Sequence, residues 1–207
     1  MLTIAVPRGA LFGETLDALE AIGIDCAEVR SNDRKLLFED AGLVTMRPSD
    51  VPTYVEAGAA DLGITGKDVL AEQAGRRVYE LLDLGYGPCR MVLASVEGEP
   101  DPATEALRRL GVMRVATKYP RIAGRYFEAT GRQAEIVEVK GSVELAPLTG
   151  LVEGIVDLTA TGTTLRENGL VVREEVGAST ARLIANPVAY RVKAQAIDAL
   201  VERIRAA

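Results

Sequence analysis

The chain has 207 residues, 48% of them hydrophobic and 26% charged, with a net charge of −6, which is enough to bury a sizeable core as one large domain or two lobes. It contains no histidine and only two cysteines, Cys26 and Cys89. That excludes Ser-His and Cys-His nucleophiles, a disulfide framework and the commonest zinc sites. The acidic balance argues against a nucleic-acid partner, and the lack of an apolar run of about 18 residues or a leader-like start argues against a membrane span or export, so the expected location is cytoplasmic.

Residues 2–6 read as a buried strand and residues 7–10 as a turn, after which Leu11, Leu16, Leu19 and Ile22 recur at helical spacing up to Gly23. Arg8 and Gly9 thus fall at the carboxyl end of a strand, where open α/β sheets bind ligands. Arg30, Arg34 and Lys35 precede a hairpin of residues 36–38 and 43–46. Arg47 leads into a helix through Ala57, with Ser49 or Asp50 as its cap and Pro52 in its first turn. Strands are expected over 78–82 and 90–96, the second carrying Arg90. The Gly and Pro cluster over 98–102 then marks a crossover.

A helix over 103–110, a strand over 113–117 and the turn Lys118-Tyr119-Pro120-Arg121 follow. Beyond the next helix come a strand over 134–139 and a turn over 140–144, with Ser142 as the expected cap and Glu144 at its end. Residues 155–160 have the character of a short buried strand and residues 164–168 can open a helix, which places Thr161-Gly162-Thr163-Thr164 at a strand-to-helix turn. Backbone N–H groups without intrahelical partners, three hydroxyls and a glycine suit a phosphate there. Asp157 is an acceptor within reach of a sugar. The bland alternative is an ordinary helix cap.

Asp61-Leu62-x-x-Thr65-Gly66 repeats the pattern Asp157-Leu158-x-x-Thr161-Gly162, which suggests two similar α/β lobes facing one cleft. Strands over 170–176 and 183–185 precede a long final helix from Pro187, with Val188, Val192, Ala196, Leu200 and Ile204 at helical spacing. The expected division is residues 1–94 with 180–207 as the first lobe and 95–179 as the second, inserted lobe.

Ala116-Thr-Lys-Tyr-Pro120, Val139-Lys-Gly-Ser142 and the run Gly154-Ile-Val-Asp-Leu-Thr-Ala-Thr-Gly-Thr-Thr-Leu-Arg-Glu-Asn168 resemble the ATP phosphoribosyltransferase family, nearly end to end. The resemblance implies a two-lobed α/β fold like the type II periplasmic binding proteins, with the active site in the cleft between lobes. It implies the first step of histidine biosynthesis, joining N1 of ATP to C1 of phosphoribosyl pyrophosphate with release of pyrophosphate. The chain resembles the short form, which stops where long forms add a regulatory domain. Short forms work with a histidyl-tRNA-synthetase-like regulatory subunit, here expected in a hetero-oligomer built on a homodimer. One departure is Arg8-Gly9-Ala10, where the family often shows Lys-Gly-Arg.

On this reading Thr161 to Thr164 take the 5-phosphate and Asp157 the ribose side, with Thr159 and Ala160 completing the phosphoribosyl pyrophosphate loop. Arg8, Lys118 and Glu144 are catalytic candidates. Arg8, Gly9, Arg30, Arg47 and Arg90 are candidates for ATP or pyrophosphate. No metal is expected on the protein itself, Mg²⁺ arriving on substrate phosphates. The residues alone leave open a ligand sensor without catalysis, or a different phosphoribosyltransferase, although Val156 stands where such enzymes usually carry a second acidic residue.

Overall fold

The computed structural model describes residues 2–207, and the chain forms two compact units: Met1–Gly87 with Thr180–Ala207, and Pro88–Ser179. The first is built on a six-stranded sheet of β1 (Ile4–Pro7), β2 (Leu37–Phe38), β3 (Leu43–Met46), β4 (Leu62–Gly66), β5 (Tyr79–Asp83) and β11 (Ala181–Ala185). The spatial order is β2-β3-β1-β4-β11-β5. β1 lies parallel to β3 and β4, with Ile4 opposite both Leu43 and Leu62, whereas β11 runs antiparallel to β4 and β5. The expected hairpin forms, with Phe38 opposite Leu43.

Both faces of this sheet are covered, which is why its central strands are continuously apolar rather than alternating. Ile4, Val6, Leu62 and Ile64 pack on one face with Leu16 and Leu19 of α1 (Phe12–Ala21) and Val29 of α2 (Ala27–Ser31). Ala5 and Ile184 pack on the other with Val51 and Val55 of α3 (Val51–Glu56). A Cβ at Gly63 would stand 2.5 Å from Val51 Cγ1, so glycine permits the close approach of α3 to β4. α4 (Lys67–Glu72) follows β4 directly.

The final helix is not continuous. It is α9 (Pro187–Val192) and α10 (Ala194–Ala206), separated at Lys193, where φ is −118°. Val188 and Val192, expected on its apolar face, are 68% and 76% exposed, while Ile197, Leu200 and Val201 are buried. The break resets the helical phase, and α10 packs its own stripe on the first core.

The second unit carries a five-stranded sheet of β6 (Cys89–Val96), β7 (Met113–Thr117), β8 (Ala134–Glu138), β9 (Gly154–Thr159) and β10 (Leu170–Ser179), in the order β10-β6-β9-β7-β8. β6, which a division at residue 94 would cut, lies wholly here, because both its ladder neighbours do. Its successive residues alternate between two cores: Val92 and Ala94 on one face, Met91 and Leu93 on the other. α5 (Pro102–Leu110) is capped by the Asp101 carboxylate, which accepts from Ala103 N and Thr104 N. α6 (Pro120–Ala129) connects β7 to β8. α7 (Leu145–Leu148) begins after Glu144 rather than at Ser142, and α8 is the single turn Thr163–Glu167. No helix of the described residues is long and apolar enough to cross a membrane.

Candidate functional site

The turn after β9 is closed by its own side chains. Gly162 sits at the N-cap of α8 with φ 72°, in the left-handed region where other residues are strained. Its N–H donates to Thr159 Oγ1 at 2.8 Å. Thr161 and Thr163 hydroxyls lie 3.0 Å apart, and Arg166 reaches back from α8 to Thr161 O at 2.9 Å and Thr163 Oγ1 at 3.0 Å. Ala160, Thr161, Thr163 and Thr164 are exposed at the surface of this turn, while Gly162 is buried. With α8 a single turn, its macrodipole is short, and the full positive charge beside the hydroxyls comes from Arg166.

Asp157, two residues before Thr159, is only 8% exposed. One carboxylate oxygen accepts from Leu158 N at 2.9 Å. Burial pushes its carboxyl above the ordinary range and the nearby Glu144 adds to the rise, against Lys118 and the Leu158 hydrogen bond, which lower it. Lys118 Nζ stands 3.9 Å from Asp157 Oδ2. That approach follows from the parallel β7–β9 register, which puts Thr117 opposite Val156 and hence Lys118 beside Asp157. Arg90 lies directly across from Thr159 in the β6–β9 ladder, with Nη1 3.5 Å from Glu175. Five of the expected residues thus gather at one end of the central strands of the second sheet: Arg90, Lys118, Glu144, Asp157 and Thr159, with the threonine turn beyond them.

The repeated motif in the first unit has the same strand-to-helix setting and a different chemistry. Gly66 has φ −76° rather than a positive value. Thr65 is fully buried and donates to Pro48 O at 2.9 Å. The Asp68 carboxylate folds back over Gly66, so close that a Cβ there would meet its Oδ1.

Arg8 instead contributes to a cavity of about 450 Å³ within the first unit, lined also by Thr45, Arg47, Asp50 and Tyr54 and by the apolar side chains of Leu36 and Met46. The Arg8 guanidinium is held by Asp33 Oδ1 at 3.1 Å, Lys35 O at 3.1 Å and the Phe12 ring at 4.8 Å. Its Nε and the Thr45 hydroxyl are buried without a partner. Buried polar atoms without a partner are uncommon in folded proteins. Gly9 is exposed with φ 88°.

Arg30 is placed elsewhere: it clamps α2 to α1 through Asp17 and Glu20, donating to Glu20 Oε1 at 3.0 Å and Oε2 at 2.9 Å. Tyr54 and Arg166 were not among the sequence candidates. Arg166 carries a local signal, four positions beyond Gly162 and so one helical turn away, whereas Tyr54 reads as an ordinary aromatic of α3. Among the described residues no group of three or more Cys, Asp or Glu gathers to hold a metal ion.

Residues 47–206 match the family model described as "HisG: ATP phosphoribosyltransferase". An ATP phosphoribosyltransferase of Rubrobacter xylanophilus is 55% identical over 98% of this chain and 94% of its own length, and one of Desulfitobacterium hafniense is 47% identical over 99% and 95%. Among solved structures, the ATP phosphoribosyl transferase (HisG:HisZ) complex of Thermotoga maritima aligns with TM-score 0.80 and 35% identity, over 99% of this chain and 97% of that one. The substrate-binding protein of an amino acid ABC transporter aligns with TM-score 0.63 at 12% identity, over 99% and 91%, a likeness of fold alone. The fold is therefore the two-lobed α/β fold of the type II periplasmic binding proteins, and the chain belongs to the ATP phosphoribosyltransferase family, which joins ATP to phosphoribosyl pyrophosphate in the first step of histidine biosynthesis.

Proposed function

We propose that the turn from Thr159 to Thr164 holds the 5-phosphate of phosphoribosyl pyrophosphate, that Asp157 takes the ribose hydroxyls, and that Arg8 and Arg47 at the first unit's cavity, with Gly9 next to Arg8 in the chain, receive ATP phosphates. The observation that carries this reading is the turn itself: a left-handed glycine, four threonine hydroxyls and an arginine, beginning two residues past a buried carboxylate. Arg30, engaged by two carboxylates, is left out.

The chemistry makes modest demands on this chain. Adenine N1 is a neutral nucleophile with an available lone pair, so no base must first remove a proton, and a chain without histidine is adequate. Binding must bring N1 in line with C1 and stabilise charge on the departing pyrophosphate as C1 becomes oxocarbenium-like. On this reading Lys118 and Arg90 meet that charge and Asp157 with Glu144 faces the electron-poor ribose, which the approach of Lys118 to Asp157 and the pairing of Arg90 with Thr159 support. Mg²⁺, when bound to the pyrophosphate, would neutralise part of its charge, with Asp157 and Glu144 as the carboxylates that could face it. We further propose that the chain is cytoplasmic and assembles with a synthetase-like regulatory subunit, as a hetero-oligomer on a homodimer; the (HisG:HisZ) complex of the Thermotoga relative supports the pairing.

Incubating the chain, with and without such a subunit, with Mg²⁺, ATP and phosphoribosyl pyrophosphate tests the reading. Stoichiometric release of pyrophosphate with formation of phosphoribosyl-ATP is expected. Binding of both substrates without turnover in any combination would return the chain to the class of ligand sensors.

A further inference from the structure

Both ends of one peptide plane are tied down in the threonine turn. The carbonyl of Thr161 accepts from Arg166 Nη1 at 2.9 Å, and the N–H on the other side of that plane, from Gly162, donates to Thr159 Oγ1 at 2.8 Å. Gly162, with φ 72°, is the residue here that tolerates a flip of the plane without a Cβ penalty. A flip would turn the Thr161 carbonyl oxygen to the side where Gly162 N now meets Thr159 Oγ1, putting an acceptor in place of a donor. Arg166 opposes it with a charge-assisted hydrogen bond, the stronger kind.

The second guanidinium contact organises the hydroxyls. Arg166 Nη2 donates to Thr163 Oγ1 at 3.0 Å, and that oxygen lies 3.0 Å from Thr161 Oγ1. Either hydroxyl can donate across that gap. Accepting from a cation polarises the Thr163 O–H and makes it the better donor of the two. Thr161 Oγ1 then receives the Thr163 hydroxyl, along with a long contact of 3.4 Å from Thr163 N, and its own proton is left to point outward. The planar fork of arginine reaches a carbonyl and a hydroxyl in one rigid geometry; a lysine ammonium has no such fork.

We propose that Arg166 is a positioning residue for the sugar-phosphate site, locking the 161–162 peptide and directing the Thr163 and Thr161 hydroxyls so that the turn presents donors rather than acceptors to phosphate. The proposal rests on the assignment of this turn to the 5-phosphate. Arg166 is exposed and its substitution leaves the buried core untouched.

The test compares Arg166→Met, Arg166→Lys and Gly162→Val in the full chain, by calorimetric titration with phosphoribosyl pyrophosphate and by KM and kcat for each substrate in the assembled enzyme. Arg166→Met is expected to weaken phosphoribosyl pyrophosphate about tenfold or more, with the ATP KM changed less than about twofold and the thermal midpoint nearly unmoved. Arg166→Lys should recover only part of the loss. Full recovery by lysine would overturn the positioning role in favour of charge alone, and a parallel rise in both KM values with a fall in the midpoint would reduce Arg166 to a structural residue. If Gly162→Val weakens the sugar phosphate and Arg166→Met does not, the proposal fails while the turn assignment stands. If neither weakens it, the assignment itself fails.

Discussion

Lys193 holds both carboxylate oxygens of Asp61 at 2.8 Å, whereas Lys118, beside the corresponding Asp157 of the other unit, stops at 3.9 Å from the nearer oxygen. Asp61 also accepts from Thr3 N at 2.8 Å. One copy of the motif is thus saturated by its own fold and the other is left with acceptor capacity for a ligand. Asp61→Ala should cost about 1.5–3 kcal/mol, on the scale of hydrogen bonds to a charged group, and leave phosphoribosyl pyrophosphate affinity unchanged in the folded fraction. Urea denaturation with parallel ligand titration checks it; an affinity loss without a stability loss would place Asp61 in a binding role.

Gly162→Ala puts a Cβ at a left-handed position, 3.2 Å from Arg166 Nη1. The local cost should be about 1–2 kcal/mol, since the flexible guanidinium can move aside but the dihedral cannot be relieved. Because the guanidinium must shift, sugar-phosphate affinity falls with it. Equal affinity for the variant and the parent, measured by titration at matched folded fraction, would contradict the role of this turn.

Asp157→Asn separates stability from function. Its carboxyl is held above the ordinary range chiefly by burial, so the ionised form is penalised in the folded state. A raised folded pKa favours folding below the unfolded value, and that advantage is lost as pH rises through the folded value. At neutral pH the asparagine variant should therefore be the more stable protein, and the difference should vanish as pH falls below the carboxylate range. Its affinity for the pyrophosphate sugar should drop on the scale of one charged hydrogen bond, about 1.5–3 kcal/mol. Thermal midpoints across pH decide it: a variant less stable than the parent at pH 7 would show that Asp157 is held by partners rather than strained by burial.

Activity should change little between about pH 7 and 9. No histidine is present, burial pushes the Cys26 thiol up to about 11 and the Tyr86 phenol up to about 12, and unperturbed carboxylates titrate well below this window. A steep bell inside the window, with the chemical step shown to be rate-limiting, would demand a titrating base that this account does not contain.

The threonine turn was legible because everything it needs lies within a few residues: a strand end, a glycine, hydroxyls and Asp157. The hairpin over residues 36–46 was legible for the same reason. The unequal fates of Asp61 and Asp157 were not, because Lys193, which saturates the first, is 132 residues away in sequence. The misread final helix turns on the same residue. Val188 and Val192 continue the apolar spacing of α10 on paper, but the chain breaks at Lys193, and both valines face outward. Arg30 looked like Arg8 in sequence, each a cation between predicted elements. Only three-dimensional packing shows Arg30 spent on two carboxylates while Arg8 keeps an unpartnered Nε at a cavity.

If regulation is supplied by a synthetase-like subunit, the single chain should be weakly active or inactive and indifferent to histidine. Coupling would then require that histidine bind the active and inactive assemblies unequally. Titrating histidine against the chain alone and against the assembly checks this, and saturable inhibition of the chain alone would place the effector site within its 207 residues.

The central claim, that the turn after β9 receives the 5-phosphate, is met most directly by a crystal structure of the chain with phosphoribosyl pyrophosphate bound. The 5-phosphate should lie within hydrogen-bonding distance of the Thr161 hydroxyl and the Thr164 donors, with the ribose hydroxyls at Asp157. A 5-phosphate seated instead beside Arg8 and Arg47, with the threonine turn making no contact to the ligand, would contradict it.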